Sequence, residues 1–205
     1  MAGYSDVKAV TITADTVALD ADGISVATSV GNNAALVIGG ALASGGAVAL
    51  SHGRIVTILS AGNDAAKSFT VVGTDVNGDS QTESITGANA GTATGTKFFL
   101  TIASITAVGN PAGNVSAGVN ASAADVVFAG RSRLKGIYLT STATAGTVDF
   151  LRTSPSGTSI LGLSSVGDAD ATRDVVIPDE GVLFTDGIYV EYTVSTFLTM
   201  TVFHA

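Results

Sequence analysis

From residue 7 to residue 203 the chain keeps one rhythm: a short run rich in Val, Ile, Thr and Phe, then a cluster of Gly, Asn, Asp, Ser or Ala. β-Branched and aromatic residues suit a pleated surface, and the small polar clusters between them supply turns. No segment holds a sustained helical apolar period with a capping residue at its start, so the rhythm argues against a helical domain. Extended runs are predicted at residues 7–13, 34–38, 47–50, 54–59, 68–72, 81–86, 97–102, 104–108, 136–140, 148–152, 159–163, 174–177, 188–193 and 197–203. Ile188-Tyr189-Val190-Glu191-Tyr192 alternates apolar with polar or amphipathic residues, as a strand with one buried face does. The expected fold is therefore all-β, built of antiparallel β-sandwich or barrel units.

Local signals refine this. Asp75-Val76-Asn77-Gly78-Asp79 carries Asn-Gly, the dipeptide best able to take positive φ at both central positions, and so predicts a hairpin. Residues 54–59 and 68–72, on either side of Ala61-Gly62-Asn63-Asp64, read as paired neighbours, and residues 87–95 as a loop of small residues. From Val115 to Phe128, Ala, Gly and Ser dominate, and basic residues then cluster at Arg131, Arg133 and Lys135. A division there predicts two small β domains, residues 1–128 and 129–205.

Composition narrows the function. With 9 Lys and Arg against 17 Asp and Glu, the net charge of −8 repels phosphate and argues against nucleic-acid binding. The chain has no cysteine, so disulfides, thiolate metal sites and a cysteine nucleophile are excluded. Residues 23–51 carry no charge, but Gly39, Gly40, Ser44, Gly45 and Gly46 interrupt their apolar run, which predicts short strands and no membrane span. The opening Met1-Ala2-Gly3-Tyr4-Ser5-Asp6 lacks the basic start and apolar run of a signal peptide, so secretion is not expected.

Candidate chemistry is sparse. The two histidines are His52, read as lying in a turn beside Gly53, and His204, and neither has a serine and an acid nearby in sequence. No Gly-x-Ser-x-Gly elbow occurs, so no catalytic residue is expected and the chain reads as non-enzymatic. Asp75, Asn77, Asp79 and Glu83 offer alternating oxygen ligands, yet Gly78 and Glu83 stand at the wrong places for an EF-hand loop. They read as a solvated turn, as do Asp168, Asp170 and Asp174, and no metal or cofactor is expected. The paired glycines fit no phosphate-binding pattern, and Asn114-Val115-Ser116 and Asn120-Ala121-Ser122 match a glycosylation pattern that matters only after secretion. Arg131, Arg133 and Lys135 are the candidate partner-binding residues, as the one basic cluster on an acidic chain.

Two stretches carry a resemblance. RIVTILSAGND followed by FTVVGTDVNGDSQTESITG and GTKFF, within residues 40–119, resembles a segment recurrent in structural proteins of tailed bacteriophages. RLKGIYLTSTATAGTVDFLRT and IPDEGVLFTDGIYVEYT are similar to small β-proteins encoded among virion genes of marine podophages. The resemblance implies a virion structural protein; modest size, acidity and two compact β units then favour a capsid decoration or cement protein on the particle surface, reinforcing the major capsid protein as a homotrimer. The alternative it leaves open is a tail or fibre-like component that binds the tail or a host surface. It supplies no catalytic residue. A glycan hydrolase is a third reading, disfavoured by the lack of Trp and of a recognisable carboxylate pair.

Overall fold

The computed structural model describes residues 6–205; the opening residues 1–5, read above for a signal peptide, lie outside them. Among the described residues the elements are strands joined by turns: β1 (Lys8–Thr13), β2 (Asp20–Thr28), β3 (Ala43–Ser44), β4 (Ala47–Ser60), β5 (Ser68–Thr74), β6 (Ser80–Thr86), β7 (Thr92–Val108), β8 (Val115–Phe128), β9 (Ser132–Ser141), β10 (Gly146–Arg152), β11 (Ser159–Ser165), β12 (Thr172–Val176), β13 (Val182–Phe184), β14 (Ile188–Thr193) and β15 (Phe197–His204). The fold is all-β and its strand pairs are antiparallel. No helix of the described residues is long and apolar enough to cross a membrane.

Two compact units divide the chain, one of residues 17–123 and one of residues 6–16 with 124–205. A division in sequence order, at 128, differs from this because β1 is added to the edge of β15, with Lys8 opposite His204 and Thr13 opposite Thr199. The first strand thus belongs with the last, and β8 carries the chain from one unit to the other.

In the 17–123 unit the strand order is β8-β4-β7-β5-β6, with β2 on β8 and β3 on β4. The expected hairpin forms: β5 and β6 pair from Ser68 opposite Thr86 to Thr74 opposite Ser80. Its turn differs from the expected one, because Gly78 has positive φ (87°) while Asn77 does not. Asp75 decides this. Its Oδ1 accepts the amides of Asn77 (2.8 Å) and Asp79 (3.0 Å), and its carbonyl accepts Gly78 N–H at 3.1 Å, which fixes a type I turn followed by one left-handed glycine. Runs 54–59 and 68–72 lie in β4 and β5, which are not neighbours, because the long strand β7 lies between them. That strand starts at Thr92, inside the expected loop, and the expected strand at 34–38 is reduced to a single bridge from Ala35 to Thr106. Alternating residues of β5 bury Phe69 and Val71 against Ile24, Val56, Ile58, Phe99, Ile102 and Ile105.

In the other unit a five-stranded sheet runs β1-β15-β9-β12, with β13 also on β9, and a second set runs β11-β10-β14. Val148 and Phe150 of β10 stand opposite Tyr192 and Val190 of β14, so these buried side chains share one face. The Tyr192 ring meets Phe197 of β15 with centroids 4.9 Å apart, which closes the two layers as a sandwich over Leu134, Ile137, Met200 and Val202.

Candidate interaction cleft

At one end of the 6–16/124–205 unit, the β1, β15 and β9 ladders bring charged residues together. β15 pairs β1 on one side and β9 on the other, and the β9 register slips between Phe203, opposite Gly136, and His204, opposite Leu134. That bulge gives β9 one extra residue and changes which way its side chains alternate. Beyond it Ser132 and Leu134 are buried together with His204, while Arg133 and Lys135 are half-buried.

His204 Nδ1 lies 3.0 Å from Ser132 Oγ, and Ser132 Oγ donates to the Ala205 carbonyl at 3.1 Å. A hydroxyl has one proton, so the bond to Ala205 makes Oγ the acceptor from an Nδ1–H, leaving Nε2 as the basic ring nitrogen. The Phe128 ring packs on the imidazole with centroids 5.2 Å apart. Burial holds the His204 pKa below its ordinary value, and the positive charge of Lys8 pushes it in the same direction.

Beside this pair opens a cleft of about 400 Å³ lined by Asp6, Val7, Lys8, Phe128, Arg131, Ser132, His204 and Ala205. Lys8, Arg131 and Asp6 are exposed, and Val7 and Phe128 provide apolar wall at 43% and 38% exposure.

The basic cluster is therefore divided. Arg131 reaches the cleft, whereas Arg133 Nη1 donates to the carbonyls of Glu180 (3.3 Å) and Gly181 (3.4 Å), and Lys135 Nζ to that of Asp179 (3.2 Å). Those two cations hold the turn between β12 and β13, and the Arg133–Glu180 ion pair at 4.0 Å adds little because Glu180 is 84% exposed. Lys8 and His204 join Arg131 in their place. Their approach has no local sequence signal, since only the pairing of the first and last strands creates it.

The Ser132–His204 pair supplies the histidine's partner that short-range sequence inspection did not find, from 72 residues away. Its geometry suits a clamp better than a nucleophile. Nucleophilic activation needs a lone pair aimed at Oγ and an Oγ open to substrate, whereas here Oγ accepts from Nδ1 and Ser132 is 4% exposed.

The remaining candidates separate. His52 lies within β4, not in a turn. Asp75 is taken up by its own turn, while Glu83, opposite Val71 on the buried face, accepts Thr96 N–H at 2.6 Å, Thr96 Oγ at 2.9 Å and Lys97 N–H at 3.3 Å. Glu83 thereby caps an irregularity of β7, where Phe98 pairs Ile55 and Thr94 pairs Thr57. Among the described residues no group of three or more His, Cys, Asp or Glu could hold a metal ion. The sequence also gave no warning of Arg54, which is wholly buried and donates to the carbonyls of Ser122 at 3.1 Å and of Asn120. No family model, curated protein or solved structure matches the chain.

Proposed function

We propose that this chain is a non-enzymatic structural protein of a tailed-phage particle: a decoration protein that binds the major capsid protein at the head surface, as a homotrimer. The observation that carries the reading is the pairing of β1 with β15, which joins strands at opposite ends of a cysteine-free all-β chain. Each strand holds the other in a six-residue ladder, so neither frays without breaking it, a framework suited to slow unfolding outside a cell. The virion-gene resemblance of both halves of the sequence supports the same reading. Symmetric copies would add weak contacts into avid attachment.

Copy number tests it. Quantitative mass spectrometry of purified particles should find hundreds of copies, in proportion to the capsid lattice, and sedimentation of the free protein should give three times the 20.2 kDa chain mass. A handful of copies would instead assign the chain to the tail, and absence from particles would overturn the virion reading.

A further inference from the structure

The cleft beside His204 joins two exposed cations to an apolar wall. Lys8 enters it from the start of β1 and Arg131 from the turn between β8 and β9, so the two charges come from opposite sides of β15. Lys8 stands opposite His204 in the β1–β15 ladder, and both line the cleft. Asp6 is the one side-chain carboxylate in the lining, beside Lys8 and Arg131, and the Ala205 carbonyl oxygen there already accepts Ser132 Oγ and Arg133 N–H. Phe128 and Val7 leave apolar surface at the same opening. This combination is complementary to an acidic side chain carried beside an apolar one.

We propose that this cleft binds a carboxylate side chain of a partner protein, with Lys8 and Arg131 holding the anion and Phe128 and Val7 covering the neighbouring apolar residue. Identifying that partner with the capsid rests on the virion reading above; the chemistry of the cleft does not.

Two measurements keep these apart. In the first, the 15N-labelled protein is titrated with acetyl-Phe-Glu-amide at constant ionic strength, with acetyl-Phe-Gln-amide as the uncharged control. Saturable shifts of the His204 ring and the Arg131 and Ser132 amides are expected with the Glu peptide, and roughly tenfold weaker binding by Lys8→Gln/Arg131→Gln, as the loss of two exposed charge pairs implies. Lys8→Arg/Arg131→Lys, which keeps both charges, should retain binding, and Asp6→Asn should tighten it. Equal shifts with the two peptides, or unchanged binding by the Gln variant, would overturn the proposal.

In the second, wild type and the Gln variant are added to particles lacking the protein. Weaker attachment of the variant, most marked at low salt, is expected. If wild type attaches and the variant equals it, the cleft is not the docking site. If wild type does not attach, the virion reading fails and the peptide titration alone decides the carboxylate site.

Discussion

The Tyr192 hydroxyl accepts the main-chain N–H of Asp15 at 3.1 Å, across 177 residues of sequence, and donates to Asp125 Oδ2 at 3.3 Å. One phenol thus ties the segment after β1 to β14 and to the end of β8. Tyr192→Phe keeps the ring against Phe197 and removes only the hydroxyl, so its cost isolates those bonds. Urea unfolding should show a loss of about 1–3 kcal/mol, the usual range when a buried donor loses its acceptor. An unchanged midpoint would mean that the hydroxyl contributes nothing to holding these strands.

The same group sets alkaline behaviour. Burial, with the Asp125 charge beside it, raises the Tyr192 pKa far above its ordinary value of 10.0. Above pH 10 the unfolded chain therefore releases a proton that the folded chain retains, and stability falls as pH rises. Absorbance at 295 nm should show Tyr192 ionising only together with unfolding, whereas Tyr192→Phe removes that component.

His204 acts at the opposite end of the pH scale. Its folded pKa is lowered, so as pH drops below 6.5 the unfolded chain takes up a proton before the folded one. The groups around the ring are Lys8 on β1, Ser132 on β9, Phe128 on β8, and Asp6 and Arg131 along the cleft. Stability from this residue should be fully present above pH 6.5 and fall as pH decreases toward the folded pKa. His204→Gln should flatten that part of a melting temperature against pH curve. A slope identical in wild type and variant would assign the acid sensitivity to carboxylates instead.

Gly118 shows why part of the fold was hidden in the sequence. A Cβ there would run into the Asp20 carbonyl oxygen, so β2 crosses β8 closer than any side chain permits. Residues 115–128 were left out of the predicted strands because Ala, Gly and Ser dominate them, yet β8 runs through all of them, with Ala117, Ala123 and Ala124 buried. β2 escaped notice for a related reason: Asp20-Ala21-Asp22-Gly23 looks like a turn, and its place in a sheet depends on β8. β5 was legible because burial follows its own alternation at Phe69 and Val71, whereas β14 and β15 were legible from their β-branched and aromatic content: Ile188, Tyr189 and Val190 are all buried, so β14 does not keep the single buried face that its sequence suggested. The cleft was legible only at Arg131, since Lys8 and His204 meet it through pairing of distant strands and a one-residue slip. Gly118→Ala should cost roughly 3 kcal/mol, the upper end of overpacking effects, in urea unfolding. A near-neutral result would show that β2 can move away from β8.

Chelation offers a check on Asp75 and Glu83. Both carboxylates already accept hydrogen bonds, Asp75 from its own turn and Glu83 from Thr96 and Lys97. Neither needs a cation to offset its charge, so EDTA should leave the melting temperature unchanged and added calcium should not raise it. A drop with EDTA that calcium restores would contradict this assignment.

Arg133 and Lys135 should behave differently from Arg131. Their donors hold the carbonyls of Asp179, Glu180 and Gly181, where Asp179 and Gly181 take positive φ of 54° and 75°. Removing those donors loosens a turn whose backbone already occupies a restricted region, but leaves the cleft cations in place. Arg133→Ala/Lys135→Ala is therefore expected to destabilise by no more than about 1 kcal/mol, since partly exposed groups contribute little. Amide exchange at Gly181, whose N–H donates to Pro178 O at 3.2 Å, should quicken more than exchange in the middle of β9. Attachment to particles should change little in this variant and weaken in Arg131→Ala, most at low salt. The reverse pattern, with attachment lost in the double variant and intact in Arg131→Ala, would move the docking surface from the cleft to the 178–181 turn.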